Sequence, residues 1–144
     1  MAHNPLLEKM MESFVASMES EFAEEFLETL LRLMSLALLF DHDYRRNVIG
    51  FSGRYQFLSS DGAITVAALF NDDAMEVREE VITEPNITVT FKDGKALMGY
   101  LLSPKPDVLG SMLRQEVRLD GNLNYLYKFA YMAKRLQLMA TGAL

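Results

Sequence analysis

His42 stands between Asp41 and Asp43, an arrangement in which a carboxylate could orient an imidazole as a general base or help complete a ligand set. Adjacent residues seldom converge on one ion. The only other histidine is His3 near the amino terminus, and there is no cysteine to complete a transition-metal site. The Asp-His-Asp run is therefore expected to be a solvated cap at the carboxyl end of a helix, and no metal is expected. Gly50-Phe51-Ser52-Gly53 echoes a nucleophile elbow. That turn needs Gly-x-Ser-x-Gly between a strand and a helix, whereas Ser52 leads into a strand. No phosphate loop or dinucleotide fingerprint occurs. The expectation is a protein that is not an enzyme and uses no cofactor; a hydrolase built on His42 is the weakest of three functional readings.

Composition points toward apolar chemistry. Half of the 144 residues are hydrophobic and ten are Met, with no Trp. Met is flexible and polarizable, so it fills irregular cores and also lines promiscuous binding surfaces. The length suits one structural domain. Fourteen Lys and Arg against twenty Asp and Glu leave a net charge of −6. Most of that excess lies in residues 1–40, where seven Glu face only Lys9 and Arg32. A phosphate backbone selects for a basic face, and the chain offers only the pairs Arg45-Arg46 and Lys134-Arg135, so nucleic acid is not expected as a partner. Zero Cys fits a reducing compartment, and Met1-Ala2-His3-Asn4-Pro5 has no basic region of a secretory signal. A cytoplasmic location is expected. The apolar run from Leu33 to Phe40 is far short of the ~20 residues a membrane helix needs.

The remaining elements follow from periodicity. Leu7, Met11, Phe14, Met18, Phe22, Phe26, Leu30 and Leu33 step by three or four, which predicts one long helix or two with a break near 17–20, begun by Asn4-Pro5. After Arg32 the apolar stripe widens, so this segment is expected to be buried on more than one side, by the domain or by a second subunit. From Arg54 the period becomes two. Tyr55 and Phe57, then Ile64, Val66, Ala68 and Phe70, then Met75 and Val77 predict a three-stranded antiparallel meander, with turns at Ser59–Gly62 and Asn71–Asp73. Ile87, Val89 and Phe91 mark a fourth strand, Asp93 caps a short helix over 95–102, a second short helix is expected over 106–114, and Val117 and Leu119 face inward from a fifth strand.

The last helix, predicted over 123–139, has an unusual pattern. Asn124, Lys128, Tyr131 and Arg135 fall on one polar stripe. Leu123, Leu126, Tyr127 and Ala130 form one apolar face, and Tyr125, Phe129, Met132, Leu136 and Met139 another. A helix on a sheet needs one apolar face, so the second is expected to meet the N-terminal helices, another subunit or a lipid cavity. The short helices add Leu97, Met98, Leu101, Leu102, Leu109, Met112 and Leu113, and the last helix adds Leu123, Leu126, Phe129 and Met132. Together these are the candidate lipid-binding side chains. Arg114, Lys128 and Arg135 are candidates to meet an acyl carboxylate, a phosphate or anionic headgroups, or else form an ordinary solvated face.

Ile87-Thr88-Val89-Thr90-Phe91, then Ala96-Leu97-Met98, Pro104, and Val117-Arg118-Leu119-Asp120-Gly121-Asn122-Leu123 running into an amphipathic helix resembles the sterol carrier protein type 2 (SCP-2-like) lipid-transfer family. The residue match covers roughly 87–123 and the order of elements about 54–139. The resemblance implies an α+β fold: a five-stranded, mainly antiparallel sheet covered on one face by helices around an apolar cavity, here with an extended N-terminal helical segment. It divides the chain into a helical extension, 1–40, and an SCP-2-like lipid-binding domain, 41–144. It also implies non-catalytic binding and transfer of a fatty acid, acyl-CoA, sterol-like or isoprenoid-like lipid. Met112-Leu113 stand where the family carries a phenylalanine pair, Gln115 replaces a glycine, and Thr141-Gly142-Ala143-Leu144 is no peroxisomal address. The expected partners are a small hydrophobic ligand, a membrane met peripherally, and a second copy of the chain through the N-terminal helices. The alternative is an accessory or scaffold subunit of lipid or isoprenoid-quinone metabolism that acts through protein contacts.

Overall fold

A computed structural model describes residues 5–17, 23–72, 74–102, 110, 112 and 114–142. Among them are five helices and five strands: α1 (Pro5–Ser17), α2 (Ala23–Phe40), α3 (His42–Arg45), β1 (Phe51–Ser59), β2 (Thr65–Asp72), β3 (Ala74–Arg78), β4 (Ile87–Phe91), α4 (Gly94–Leu102), β5 (Val117–Gly121) and α5 (Leu123–Ala140). Of the expected helix over 106–114 only Gly110, Met112 and Arg114 are described, the first two helical; the N-cap at Asn4 and the turn residue Asp73 lie outside the described residues. The strands form one mixed sheet in the order β3-β2-β1-β4-β5. Only β1 and β4 run parallel, with Tyr55 opposite Ile87 and Phe57 opposite Val89. The fold is thus α+β with a mostly antiparallel sheet.

Strand alternation divides the sheet into two faces. Tyr55, Phe57, Val66, Ala68, Phe70, Ile87, Val89, Phe91 and Val117 are buried on the inner face, in one cluster with Leu7, Met11, Phe26, Leu30, Leu33 and Leu38 of α1 and α2. The stripe read from residues 7–33 thus packs at Leu7, Met11, Phe26, Leu30 and Leu33, while the side chains of Phe14, Met18 and Phe22 lie outside the described residues. The segment after Arg32 is buried at Leu33, Met34, Ala37 and Leu38, whereas Leu39 and Phe40 are exposed. α2 runs alongside β2 and β3: the Glu24 carboxylate accepts from the Thr65 N–H at 3.1 Å, and the Ser35 hydroxyl donates to the Met75 carbonyl at 3.5 Å.

Because β4 pairs with β1, the chain leaving β3 must cross β2 and β1. It does so over the outer face. Gln56, which points outward between Tyr55 and Phe57, is buried beneath this crossing: its Nε2 donates to the Val66 and Glu80 carbonyls (3.1 and 3.2 Å) and its Oε1 accepts from Ile82 N–H (2.7 Å). The Arg54 guanidinium donates to the Thr83 carbonyl at 2.8 Å, and Arg54 N–H donates to Asn86 Oδ1 at 2.7 Å. A connection without regular structure is thereby held by side-chain hydrogen bonds in place of a ladder.

Two glycines permit close approaches. A Cβ on Gly94 would lie 2.8 Å from the Cβ of Ala23, so α4 and α2 start against each other. Gly121, at φ +124°, ends β5 with its α-carbon so near the Asn86 carbonyl that a Cβ would lie 2.3 Å from that oxygen. Asn122 then donates from its N–H to the same carbonyl at 2.9 Å and caps α5 by accepting from Asn124 N–H.

Asp41-His42-Asp43 is a junction between two helices. Asp41 N–H closes the last turn of α2 on Ala37, and its carboxylate accepts from Tyr44 N–H to open α3. His42 is exposed at that junction. A short second helix starts where only a cap was expected, because Tyr44 is drawn into the core and pulls the chain around with it.

Candidate site between the sheet and its helical cover

The strongest candidate site is the apolar layer between the inner face of the sheet and helices α4 and α5. Its floor is aromatic. Tyr55 packs against Phe57, Phe70, Tyr125 and Phe129, and the Phe57 and Phe129 rings lie 5.0 Å apart. The roof consists of Leu97 and Leu101 from α4 with Leu126, Phe129, Met132, Ala133 and Leu136 from α5, all buried. The strand alternation at Tyr55 and Phe57 was the signal that could have placed these two rings among the site residues.

Five predicted lipid-binding residues therefore share one layer: Leu97, Leu101, Leu126, Phe129 and Met132. Met98 is half-buried on its border. Leu123 is 39% exposed at the start of α5, and Met112 is 41% exposed beside a separate surface pocket. The structure does not bring these two to the others. The side chains of Leu102, Leu109 and Leu113 lie outside the described residues. The two-faced reading of α5 is corrected here: one broad stripe is buried, while Leu123, Tyr127 and Tyr131 are exposed. At 100° per residue Leu126 falls between Ala133 and Gln137 in the buried arc that Phe129 and Leu136 continue, whereas Tyr127 falls outside it, so the grouping of Leu126 with Leu123 and Tyr127 does not survive docking on the sheet.

The polar candidates disperse as well. Arg114 is exposed and paired with Glu116. The Lys128 ammonium lies 4.6 Å from the centroid of the Phe51 ring, a cation–π contact at the edge of the layer. Arg135 is half-buried, and its Nε has no hydrogen-bond partner among the described residues.

Hydroxyl groups bridge the layer where sequence reasoning named none. The Tyr44 hydroxyl donates to the Met132 carbonyl at 3.0 Å and the Tyr55 hydroxyl to the Tyr125 carbonyl at 2.7 Å, each reaching the backbone of α5. Burial raises both phenols above their ordinary range; the Tyr44 cation neighbour Arg135 opposes the rise, and Tyr125 adds to it at Tyr55. Gln137 Nε2 donates to the Leu101 carbonyl at 2.7 Å and joins α5 to α4. Tyr100 is 8% exposed, its ring lies 6.1 Å from that of Phe91, and its hydroxyl has no partner among the described residues. Burial first, then Tyr127, pushes this phenol up to about 12.

Carboxylates gather elsewhere. Glu28 on α2 is pushed up to about 7 by burial, by a hydrogen bond shared with Glu79 of the crossing segment, and by the charges of Glu79 and Glu24, with Arg32 opposing. Arg32 itself lies 3.7 Å from Glu79. Glu24, Glu25, Asp61 and Asp93 border a pocket of about 600 Å³ at the starts of α2 and α4. The bonds of three of them are internal: Glu24 to Thr65, Asp61 to Ser59 and Ala63, Asp93 to Ala96. Among the described residues no cluster of His, Asp or Glu has the geometry to hold a metal, and no helix is long and apolar enough to cross a membrane.

No family model and no curated protein matches the sequence. Solved structures do match in shape. The sec-alkylsulfatase Pisa1 from Pseudomonas sp. superimposes with a TM-score of 0.58 at 17% identity over 72% of this chain, which spans only 16% of that enzyme's length. The ubiquinone synthesis protein UbiJ-SCP2 gives a TM-score of 0.53 at 14% identity, covering 74% of this chain and 94% of that one. Sterol carrier protein domain 2 of Helicoverpa armigera gives 0.52 at 16% identity, covering 83% and 92%. Two of the three are SCP-2 structures that this chain covers over nearly their full length, and the chain therefore has the SCP-2-like fold.

Proposed function

We propose that this chain binds the apolar part of a long-chain lipid between the sheet and the α4–α5 cover, with α5 as the element that lifts to admit it. The observation that carries this reading is the continuous aromatic and aliphatic layer under α5, in a fold shared with sterol carrier protein domains. Such a site needs no catalytic group. Three hydrogen bonds to or from α5, at Tyr55, Tyr44 and Gln137, hold the cover shut. Each contributes about 1 kcal/mol net, whereas each methylene removed from water contributes about 0.8 kcal/mol, so a few methylenes of a bound chain offset the tethers. The Tyr100 hydroxyl, buried without a partner among the described residues, would face a polar atom of such a guest. Native mass spectrometry of the purified protein and displacement of a fluorescent fatty acid are the test. Co-purified lipid and saturable binding are expected; absence of both would sink the reading.

A second reading, an accessory subunit working through protein contacts, is favoured by the exposed Leu39 and Phe40 at the end of α2 and by Leu6 on α1. Light scattering with and without residues 1–20 tests it. A soluble monomer in both forms would remove the N-terminal helices as an assembly element.

A further inference from the structure

Three tyrosines are buried among the described residues, and two of them spend their hydroxyls on α5: Tyr44 on the Met132 carbonyl and Tyr55 on that of Tyr125. Tyr100 is the exception. It stands on the face of α4 that carries Leu97 and Leu101 into the core, and its ring lies 6.1 Å from that of Phe91 on the inner face of β4. Its hydroxyl is therefore inside the layer between the sheet and the cover, and it has no hydrogen-bond partner among the described residues. A buried hydroxyl is nearly always bonded, so this one marks a place where an acceptor belongs.

The surroundings decide what kind of acceptor. Among the described residues no Lys, Arg or His is buried. Lys128 stays at the edge of the layer over the Phe51 ring, Arg135 is half-buried beside Tyr44, and Arg114 is exposed and paired with Glu116. An ionised head carried to the depth of Tyr100 would meet one neutral donor and no counter-charge, so it stays in water at the rim of the layer. Burial keeps the phenol protonated at any physiological pH, and it can always donate. We propose that the guest of this layer is a neutral lipid bearing a carbonyl oxygen, such as an ester or a ketone, and that the Tyr100 hydroxyl donates to that oxygen. The inference rests on the lipid reading above, for which it names the ligand class.

The test titrates the full chain with methyl oleate, oleate and octadecene, each read by displacement of a fluorescent fatty acid. Tyr100→Phe keeps the ring, and urea titration should show no loss of stability because the hydroxyl it removes is unbonded. Its affinity for methyl oleate should fall about tenfold, while oleate and octadecene bind as before. The infrared carbonyl stretch of isotope-labelled methyl oleate should move to lower wavenumber on binding and return in Tyr100→Phe, a signature that a packing role would not produce. Tyr127→Phe, at the exposed phenol nearby, should change neither reading. An unshifted stretch on the unmodified protein would leave the lipid reading standing and overturn the Tyr100 contact, whatever the variant does. An equal loss for octadecene would assign Tyr100 to packing and overturn it too. A loss for oleate as large as for the ester would assign the hydroxyl to a carboxylate head and overturn the neutral class. Binding of none of the three would overturn both readings.

Discussion

The hydroxyl of Tyr55, at the centre of β1, donates to the main-chain carbonyl of Tyr125, seventy positions along the chain, at 2.7 Å. Tyr125 lies in the first turn of α5, so the middle of the sheet is tied to the start of the helix that roofs the apolar layer. Replacing Tyr55 by Phe keeps the ring and its contacts with Phe57, Phe70 and Phe129 while removing the tether. The expected loss is about 1 kcal/mol. Amides of the first two turns of α5 should exchange with solvent faster, and a fluorescent fatty acid should enter faster, than in the unmodified protein. Unchanged exchange over residues 123–130 would count against α5 as a lid.

Gln56 closes the outer face. Changing it to Leu leaves the Val66 and Glu80 carbonyls and the Ile82 N–H without their partner beneath the crossing segment. Urea titration should show a destabilisation of about 2–3 kcal/mol, one increment for each group left unbonded, least at the exposed Glu80. Lipid binding per molecule of folded protein should be unaffected, since Gln56 lies on the face opposite the apolar layer.

Gly121→Ala is expected to be among the most damaging single changes. The backbone there holds φ +124°, a region that side chains avoid, and the new methyl would collide with the Asn86 carbonyl. A loss of more than about 3 kcal/mol is expected in thermal or urea unfolding. Gly99→Ala, where a Cβ meets nothing within 4 Å, is the control and should be close to neutral.

Glu28 links stability to pH. Its folded-state value of about 7 stands above the ordinary 4.5, so between these pH values the folded chain holds a proton that the unfolded chain has released. This contribution is full below 4.5 and is lost as pH rises through 7. Glu28→Gln keeps a neutral, hydrogen-bonding side chain beside Glu79 at every pH. The melting temperature of this variant should gain on that of the unmodified protein as pH goes from 5 to 8, as read by circular dichroism. A constant difference across that range would show that Glu28 titrates in the same way folded and unfolded.

Element order and strand faces were legible in the residues because both depend on local periodicity. Tyr55, Phe57, Ile64, Val66, Ala68 and Phe70 announce their face by alternation, and Leu7, Phe26, Leu30 and Leu33 theirs by steps of three and four. The burial of five side chains proposed for lipid binding, Leu97, Leu101, Leu126, Phe129 and Met132, was legible for the same reason. The identity of strand partners was not. β1 pairs in parallel with β4 across the whole β2–β3 hairpin, a choice made by packing and by the crossing segment over Gln56 rather than by any short pattern. Tyr44 becomes core only because Met132, 88 positions away, offers it a carbonyl. α5 has apolar residues around most of its circumference, so its sequence alone left two faces open; the flat sheet took the stripe of Leu126, Phe129 and Leu136 and left Leu123 and Tyr127 to solvent. The Thr90 hydroxyl, buried without a partner among the described residues, was beyond periodicity altogether, because such burial is a property of its neighbours in space.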